Sequence, residues 1–283
     1  MKTVVIVGAG MGGLATAARL AKAGYEVAVF EARPQVGGRI GELRRDGYRF
    51  DMGPTLLMML EPLERLFADL HRRVEDYLQL TLIDPSYRVY FGDGTVFDST
   101  PNIARMVREI AHKISPDEVA GYLRLMADLS AMYHAVVPAF VRRQYDSLAD
   151  LFTPYQIGLL LRHRLLGNLW RGVGRYVRDP RLRMLFSFQT MYLGLSPKDA
   201  LWVYGVLTYM ESGEGVWYPR GGMHRLPQAI AQVAQEEGAR FYLNQRVQEV
   251  LIEEGRAAGV RLASGEVLKA DYVIINTDAP TAY

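Results

Sequence analysis

At 283 residues, with 49% hydrophobic and 23% charged side chains and a formal charge of +2, the chain has the make-up of a globular protein long enough for two domains. It contains no cysteine, which excludes disulfides, thiolate nucleophiles and cysteine-held metal or iron-sulfur centres in these residues. The five histidines, His71, His112, His134, His163 and His224, show no ligand-like spacing, so no metal site is expected.

The first 31 residues read as an apolar strand, a glycine turn, a helix, a second strand and an acid. Gly8, Gly10 and Gly13 follow the run Val4-Val5-Ile6-Val7 in G-x-G-x-x-G spacing and open a helix with Leu14, Ala17, Ala18 and Ala21 on its packing face. In that setting Gly8 permits the turn, Gly10 clears the way to a pyrophosphate, and Gly13 brings helix and strand together. The helix N-terminus then offers free N–H groups to the phosphates. Glu31 closes the strand Glu26 to Phe30, where its carboxylate can accept both hydroxyls of a ribose and would repel a 2'-phosphate. Glycines also serve ordinary turns; the ordered run of strand, helix, strand and acid is what predicts an adenine dinucleotide.

A nicotinamide domain would continue into a crossover helix, but Ala32-Arg33-Pro34-Gln35-Val36-Gly37-Gly38-Arg39 leaves no room for one. A second glycine pair followed by a guanidinium suits a backbone lying along a longer cofactor, with Arg39 as phosphate or ribityl partner; a solvent loop with a surface arginine is the plainer alternative. Next comes an alternating strand, Gly47-Tyr48-Arg49-Phe50-Asp51, ending in the corner Gly53-Pro54-Thr55. An amphipathic helix follows near Leu60 to Leu70, with Leu63, Leu66, Phe67 and Leu70 on one face. Short strands at 87–91 and 95–97 are joined by Gly92-Asp93-Gly94.

From about Pro101 to Met210 the pattern is helical, with start signals at Thr100-Pro101 and Ser115-Pro116. Tyr192, Leu193, Trp202, Tyr204 and Leu207 could wall an apolar tunnel or simply build core. Within residues 141–185 stand nine arginines and three acids, interleaved with Leu and Trp. Such a stretch suits an interfacial helix on an anionic membrane, too short and too charged to span it; a helical core with a solvated basic face reads equally well. No nucleic-acid module accompanies the charge, so nucleic acid is not expected as a partner. After Trp217-Tyr218-Pro219-Arg220-Gly221-Gly222-Met223 the pattern gives a helix at 226–237 and strands near 240–243, 246–253, 257–262, 267–270 and 272–275. Asp278-Ala279-Pro280 reads as the cap and first turn of a helix that the chain does not complete, so the chain reads as cut.

Taken together, GAGMGGLATAARL, Glu31, GGR at 37–39, FDMGPT at 50–55 and GVWYPRGGMHRLPQAI at 215–230 resemble the bacterial phytoene-desaturase type of carotenoid desaturase, within the amine-oxidase-like flavoproteins. The resemblance covers essentially the whole chain. It implies an α/β fold, with a Rossmann-like FAD-binding domain of parallel sheet and β-meander at 1–100 and 211–283, and a helical substrate and membrane domain at 101–210. It implies FAD held at Gly8, Ala9, Gly10, Met11, Gly12, Gly13, Glu31, Ala32, Gly38 and Arg39, with Gly53, Pro54 and Thr55 near the flavin and the Val247 backbone beside the adenine. The implied reaction takes an allylic hydride from a lipophilic carotenoid precursor to the flavin while an adjacent proton leaves; Asp51, Glu211 and Glu214 are conceivable bases, none singled out. With no thiol relay, a quinone or oxygen would take the electrons. The expected address is cytoplasmic, since the chain opens directly on a strand, with peripheral attachment to the membrane. Rival readings are a carotenoid isomerase or amine oxidase of the same superfamily, and an inactive FAD-binding fragment lacking a C-terminal segment that closes over the flavin.

Overall fold

The computed structural model describes residues 1–278 and 280, in two compact units: Met1–Thr81 with the segment from Trp217 onward, and Leu82–Val216. The expected boundaries at 100/101 and 210/211 stand against 81/82 and 216/217, because the hairpin Tyr87–Tyr90/Val96–Ser99 buries Phe97 in the second unit's core.

The first unit is built on a four-stranded parallel sheet whose central strand, Thr3–Val7, lies between Tyr272–Ile275 and Glu26–Phe30, with Arg240–Tyr242 outermost. Val4 and Ile6 face the helices Met11–Lys22 and Arg225–Glu236, while Val5 faces an antiparallel meander, Val247–Glu253, Arg256–Leu262 and Val267–Lys269. A strand covered on both sides must be apolar at every position, which is why residues 4–7 show no alternation. Small side chains on both helices, Ala17, Ala18 and Ala21 facing Ala229, Ala231 and Ala234, contribute to one buried cluster. The helix Glu61–Asp69 adds Leu63, Leu66 and Phe67 to that cluster, the face expected from its period. The fold is thus α/β, with the parallel sheet and meander that the sequence implied.

The strand Glu42–Arg45 was not anticipated. Residues 48–51 pair with Glu42–Arg45, and the hairpin leaves Leu43, Tyr48 and Phe50 exposed instead of burying alternate positions.

The second unit is largely helical, with a core of Phe97, Met106, Ile110, Leu125, Leu129 and Trp202 among others. Asn102, not Thr100, caps the helix Ile103–Lys113 by accepting the Arg105 N–H; Thr100 Oγ1 accepts the Asn102 N–H one step earlier. Ser115 opens a 3-10 turn, Pro116–Glu118, that leads into the helix Val119–Val136. Glu118, nearly buried, accepts the N–H groups of Arg178 and Asp179 at 3.0–3.2 Å and so ties a distant loop to that helix start. Residues 141–185 form several short helices, with Leu165, Leu169, Val173, Leu182 and Leu185 in the core and Leu159 also buried. Trp170 lies under the Arg183 guanidinium, 4.8 Å from ring to cation.

Tyr122 is fully buried and stacked on Phe186, and its hydroxyl has no hydrogen-bond partner among the described residues. Burial pushes this phenol up to about 12. Because an unpaired buried hydroxyl costs about 1–3 kcal/mol, Tyr122→Phe should leave stability unchanged or raise it by about 1 kcal/mol, read as the midpoint of urea unfolding. Marked destabilisation would show that the hydroxyl has a partner.

Candidate functional site

A crevice of about 650 Å³ opens in the first unit at the carboxyl ends of the parallel strands, where Val7, Phe30 and Ile275 end. Its floor is the glycine turn. Gly8 adopts φ +100°, open only to glycine at low cost, and a β-carbon on Gly13 would stand 2.2 Å from the Gly8 carbonyl oxygen. The helix Met11–Lys22 begins at Gly10 with no side-chain cap and no acid in its first turn. Met11 and Gly12 line the crevice, so the first-turn N–H donors remain available to an anion there.

Glu31 is buried and lines the wall. Its Oε2 accepts the Ala9 N–H at 2.8 Å and its Oε1 the Arg33 N–H at 2.9 Å. The carboxylate therefore clamps the glycine turn to the bend after the second strand, and each oxygen keeps a lone pair for a further donor. Gly38 and Arg39 also line the crevice, on a turn that Gly37 joins to the glycine loop, donating its N–H to the Ala9 carbonyl at 2.7 Å. Arg39 is paired with Asp278, both largely exposed at the crevice mouth.

Of the residues expected at the site, Gly8, Gly10, Met11 and Gly12 line the crevice on the turn, and Glu31, Ala32, Gly38, Arg39 and Val247 line its walls. Ala9 and Gly13 lie behind the surface and shape it. Gly53, Pro54 and Thr55 are exposed and are not among the lining residues; a β-carbon on Gly53 would meet the Arg39 carbonyl oxygen at 2.0 Å.

Arg33, Arg246 and Asn276 also line the crevice and were missed. Asn276 packs against the glycine loop, its Nδ2 donating to the Gly8 carbonyl at 3.4 Å and its Oδ1 2.7 Å from where a Gly12 β-carbon would stand. Its position directly after an apolar parallel strand is the signal that could have found it, since ligands collect at carboxyl ends of such strands. The Asp278-Ala279-Pro280 cap cannot be followed, because Ala279 lies outside the described residues.

Each of the three conceivable bases has a local partner. Asp51 accepts the Tyr218 hydroxyl and the Met223 N–H, and holds the Tyr218 phenol above the usual tyrosine range. Glu211, buried in the second unit, accepts Gln189 Nε2 at 3.1 Å and the Tyr192 hydroxyl at 2.8 Å; burial first, then Glu211, raises the Tyr192 phenol. Glu214 accepts the Tyr133 hydroxyl at 3.0 Å. Among the tunnel candidates Trp202 is core, Tyr204 and Leu207 are half-buried, and Tyr192 and Leu193 are exposed.

A glycine turn, an uncapped helix start and a buried acid at one sheet end mark an α/β protein of the dinucleotide-binding class. The profile of the flavin-containing amine oxidoreductases matches residues 11–283, and the chain belongs to that family. It is 42% identical over 282 residues to a zeta-carotene-forming phytoene desaturase of Myxococcus xanthus, covering all of this chain and 54% of that protein. It is 38% identical over 291 residues to a phytoene desaturase of Neurospora crassa, covering all of this chain and 49% of that protein. The chain thus spans about half the length of these relatives. In structure it is similar to an oxidoreductase from Methanosarcina mazei, with a TM-score of 0.61 at 23% identity over 99% of this chain and 60% of that one.

Glutamine at position 31 keeps one acceptor oxygen and turns an amide toward either Ala9 N–H or Arg33 N–H. Glu31→Gln should therefore lower folding stability by about 1–3 kcal/mol, measured by urea unfolding, and weaken FAD binding by a similar amount in titration calorimetry. Unchanged FAD affinity in a folded variant would limit Glu31 to shaping the turn.

Proposed function

We propose that this chain is an FAD-dependent desaturase acting on a long isoprenoid polyene of the phytoene type. The observation that carries the reading is the 42% identity, over the whole chain, with a zeta-carotene-forming phytoene desaturase. The crevice fits the cofactor: donors at an uncapped helix start for the diphosphate, a buried carboxylate for the ribose, and glycines where a β-carbon would intrude.

The residues divide the work of binding. The first-turn N–H groups of Met11, Gly12 and Gly13 and the Arg39 guanidinium offset the diphosphate charge. Glu31 accepts the ribose hydroxyls with the lone pairs left by its two backbone donors, and the Val247 main chain stands on the adenine wall. Gly53, Pro54 and Thr55 are assigned to the flavin-ring end on the strength of the motif alone. Bound FAD supplies a two-electron acceptor for an allylic hydride, with loss of a neighbouring proton extending the conjugation by one double bond. The residues present hold no cysteine to relay those electrons, so a quinone or oxygen is assigned as acceptor.

A membrane surface is the proposed source of the lipophilic substrate. In the second unit Val141, Phe152, Tyr155, Leu161 and Leu166 are exposed, and Arg143, Arg162 and Arg164 are exposed among them. Apolar side chains interspersed with arginines suit insertion beneath anionic head groups. Among the described residues no helix is long and apolar enough to cross a bilayer.

Incubation with FAD, a quinone and phytoene in liposomes should yield products with longer-wavelength polyene absorption after chromatography. Recovery of phytoene alone, with FAD bound, would overturn the substrate assignment; failure to quench flavin fluorescence on titration would overturn the cofactor assignment. Cosedimentation with anionic vesicles should be strong at low ionic strength and fall as salt shortens the screening length to about 8 Å at 0.15 M. Equal partition onto neutral vesicles would refute the arginine surface as the membrane contact.

A further inference from the structure

The turn that carries Gly38 and Arg39 has no regular secondary structure of its own, and its position is set from behind. His224, buried at the start of the helix Arg225–Glu236, places Nδ1 2.7 Å from the Ile40 carbonyl oxygen. A carbonyl can only accept, so Nδ1 carries the proton and the ring's tautomer is thereby decided. The same nitrogen stands 3.3 Å from where a β-carbon on Gly37 would lie, with Pro227 Cγ at 2.9 Å. Gly37, at φ +110°, in turn donates its N–H to the Ala9 carbonyl and bridges Gly10. A β-carbon on Gly38 would be 3.2 Å from the Gly10 Cα. The imidazole, the 37–40 turn and the glycine loop form one chain of close contacts.

The geometry points to His224 as a positioning residue for the cofactor crevice: its Nδ1–H holds the Ile40 carbonyl, which sets the turn that presents Gly38 and Arg39 beside the glycine loop. The inference rests on the FAD reading above. The neighbouring anchor reinforces it, since Asp51 accepts the Met223 N–H at 3.0 Å with one oxygen and 3.1 Å with the other. The segment 217–224 is thereby pinned on one side to the hairpin strand Tyr48–Asp51 and on the other to the crevice turn. His224 does not line the crevice, so its effect on the cofactor is transmitted through the turn.

Asparagine can place an N–H donor near the position of Nδ1, whereas glutamine, closer to histidine in length, places its amide beyond it. His224→Asn should keep the FAD dissociation constant within about threefold of the wild type, while His224→Gln should raise it about tenfold or more, the loss of roughly one hydrogen bond to a carbonyl. Gly37→Ala, which drives a β-carbon into the same junction, should raise it by a similar factor. Dissociation constants would come from flavin fluorescence quenching, with the thermal midpoint of each apo variant recorded alongside to separate folding from binding. Asparagine and glutamine variants that bind FAD equally, or a glutamine variant that binds as tightly as the wild type, would overturn the proposal. If the wild type itself failed to bind FAD, the cofactor reading would fall instead.

Discussion

The first unit depends on a carboxylate held between two loops. Glu31 stands at the end of the second strand, yet its oxygens are taken by backbone donors from the glycine turn and from the bend that follows it. A buried charge is tolerable only when hydrogen bonds replace its lost water, and here both donors come from main chain that must itself be bent to reach. One side chain thus satisfies itself and shapes the floor and wall of the crevice together. The absence of β-carbons at Gly8 and Gly13 makes room for that bend, and the sheet beneath supplies a rigid base buried on both faces.

The same arrangement recurs where segments distant in sequence meet. Asp271 accepts the N–H and hydroxyl of Thr3 at 2.6 and 3.0 Å, which holds its carboxyl below the usual aspartate range, and Asp51 gathers Tyr218 and Met223. These contacts join the beginning of the chain to its later segment across the whole length of the second unit. Because the entropy of closing a loop rises only with the logarithm of its length, a large insertion can separate the two halves of a sheet at modest cost.

In the second unit the basic composition divides in two. Arg181 is held by Asp179, Asp93 and Thr95, and Arg183 lies over Trp170, so these cations serve the packing of their own unit. Leucines at 159, 165 and 169 are buried, whereas Leu161 and Leu166 point outward beside Arg162 and Arg164. The stretch therefore contains both buried core leucines and an exposed apolar surface interspersed with arginines.

Strand, turn, helix, strand and acid over the first 31 residues were legible because each is a local matter: the hydrogen-bond partners of a helix, the φ of a glycine and the two-sided burial of a parallel strand are all written within a few residues. That the glycine turn, Glu31, Gly38, Arg39 and Val247 belong to one region could be expected for the same reason or from motif likeness, and they line or shape one crevice. What the sequence did not disclose came from chain meeting chain. The partner of strand 48–51, the exposure of Gly53, Pro54 and Thr55, the grip of Asn276 on the glycine loop and of His224 on the 37–40 turn all join residues that no spacing rule relates. The sequence by itself pointed to the class of ligand and to the elements that border the crevice, because those follow from short-range backbone chemistry. Only the tertiary structure decided which side chains fix the crevice's shape, because that depends on which distant polar groups are buried together and must satisfy one another.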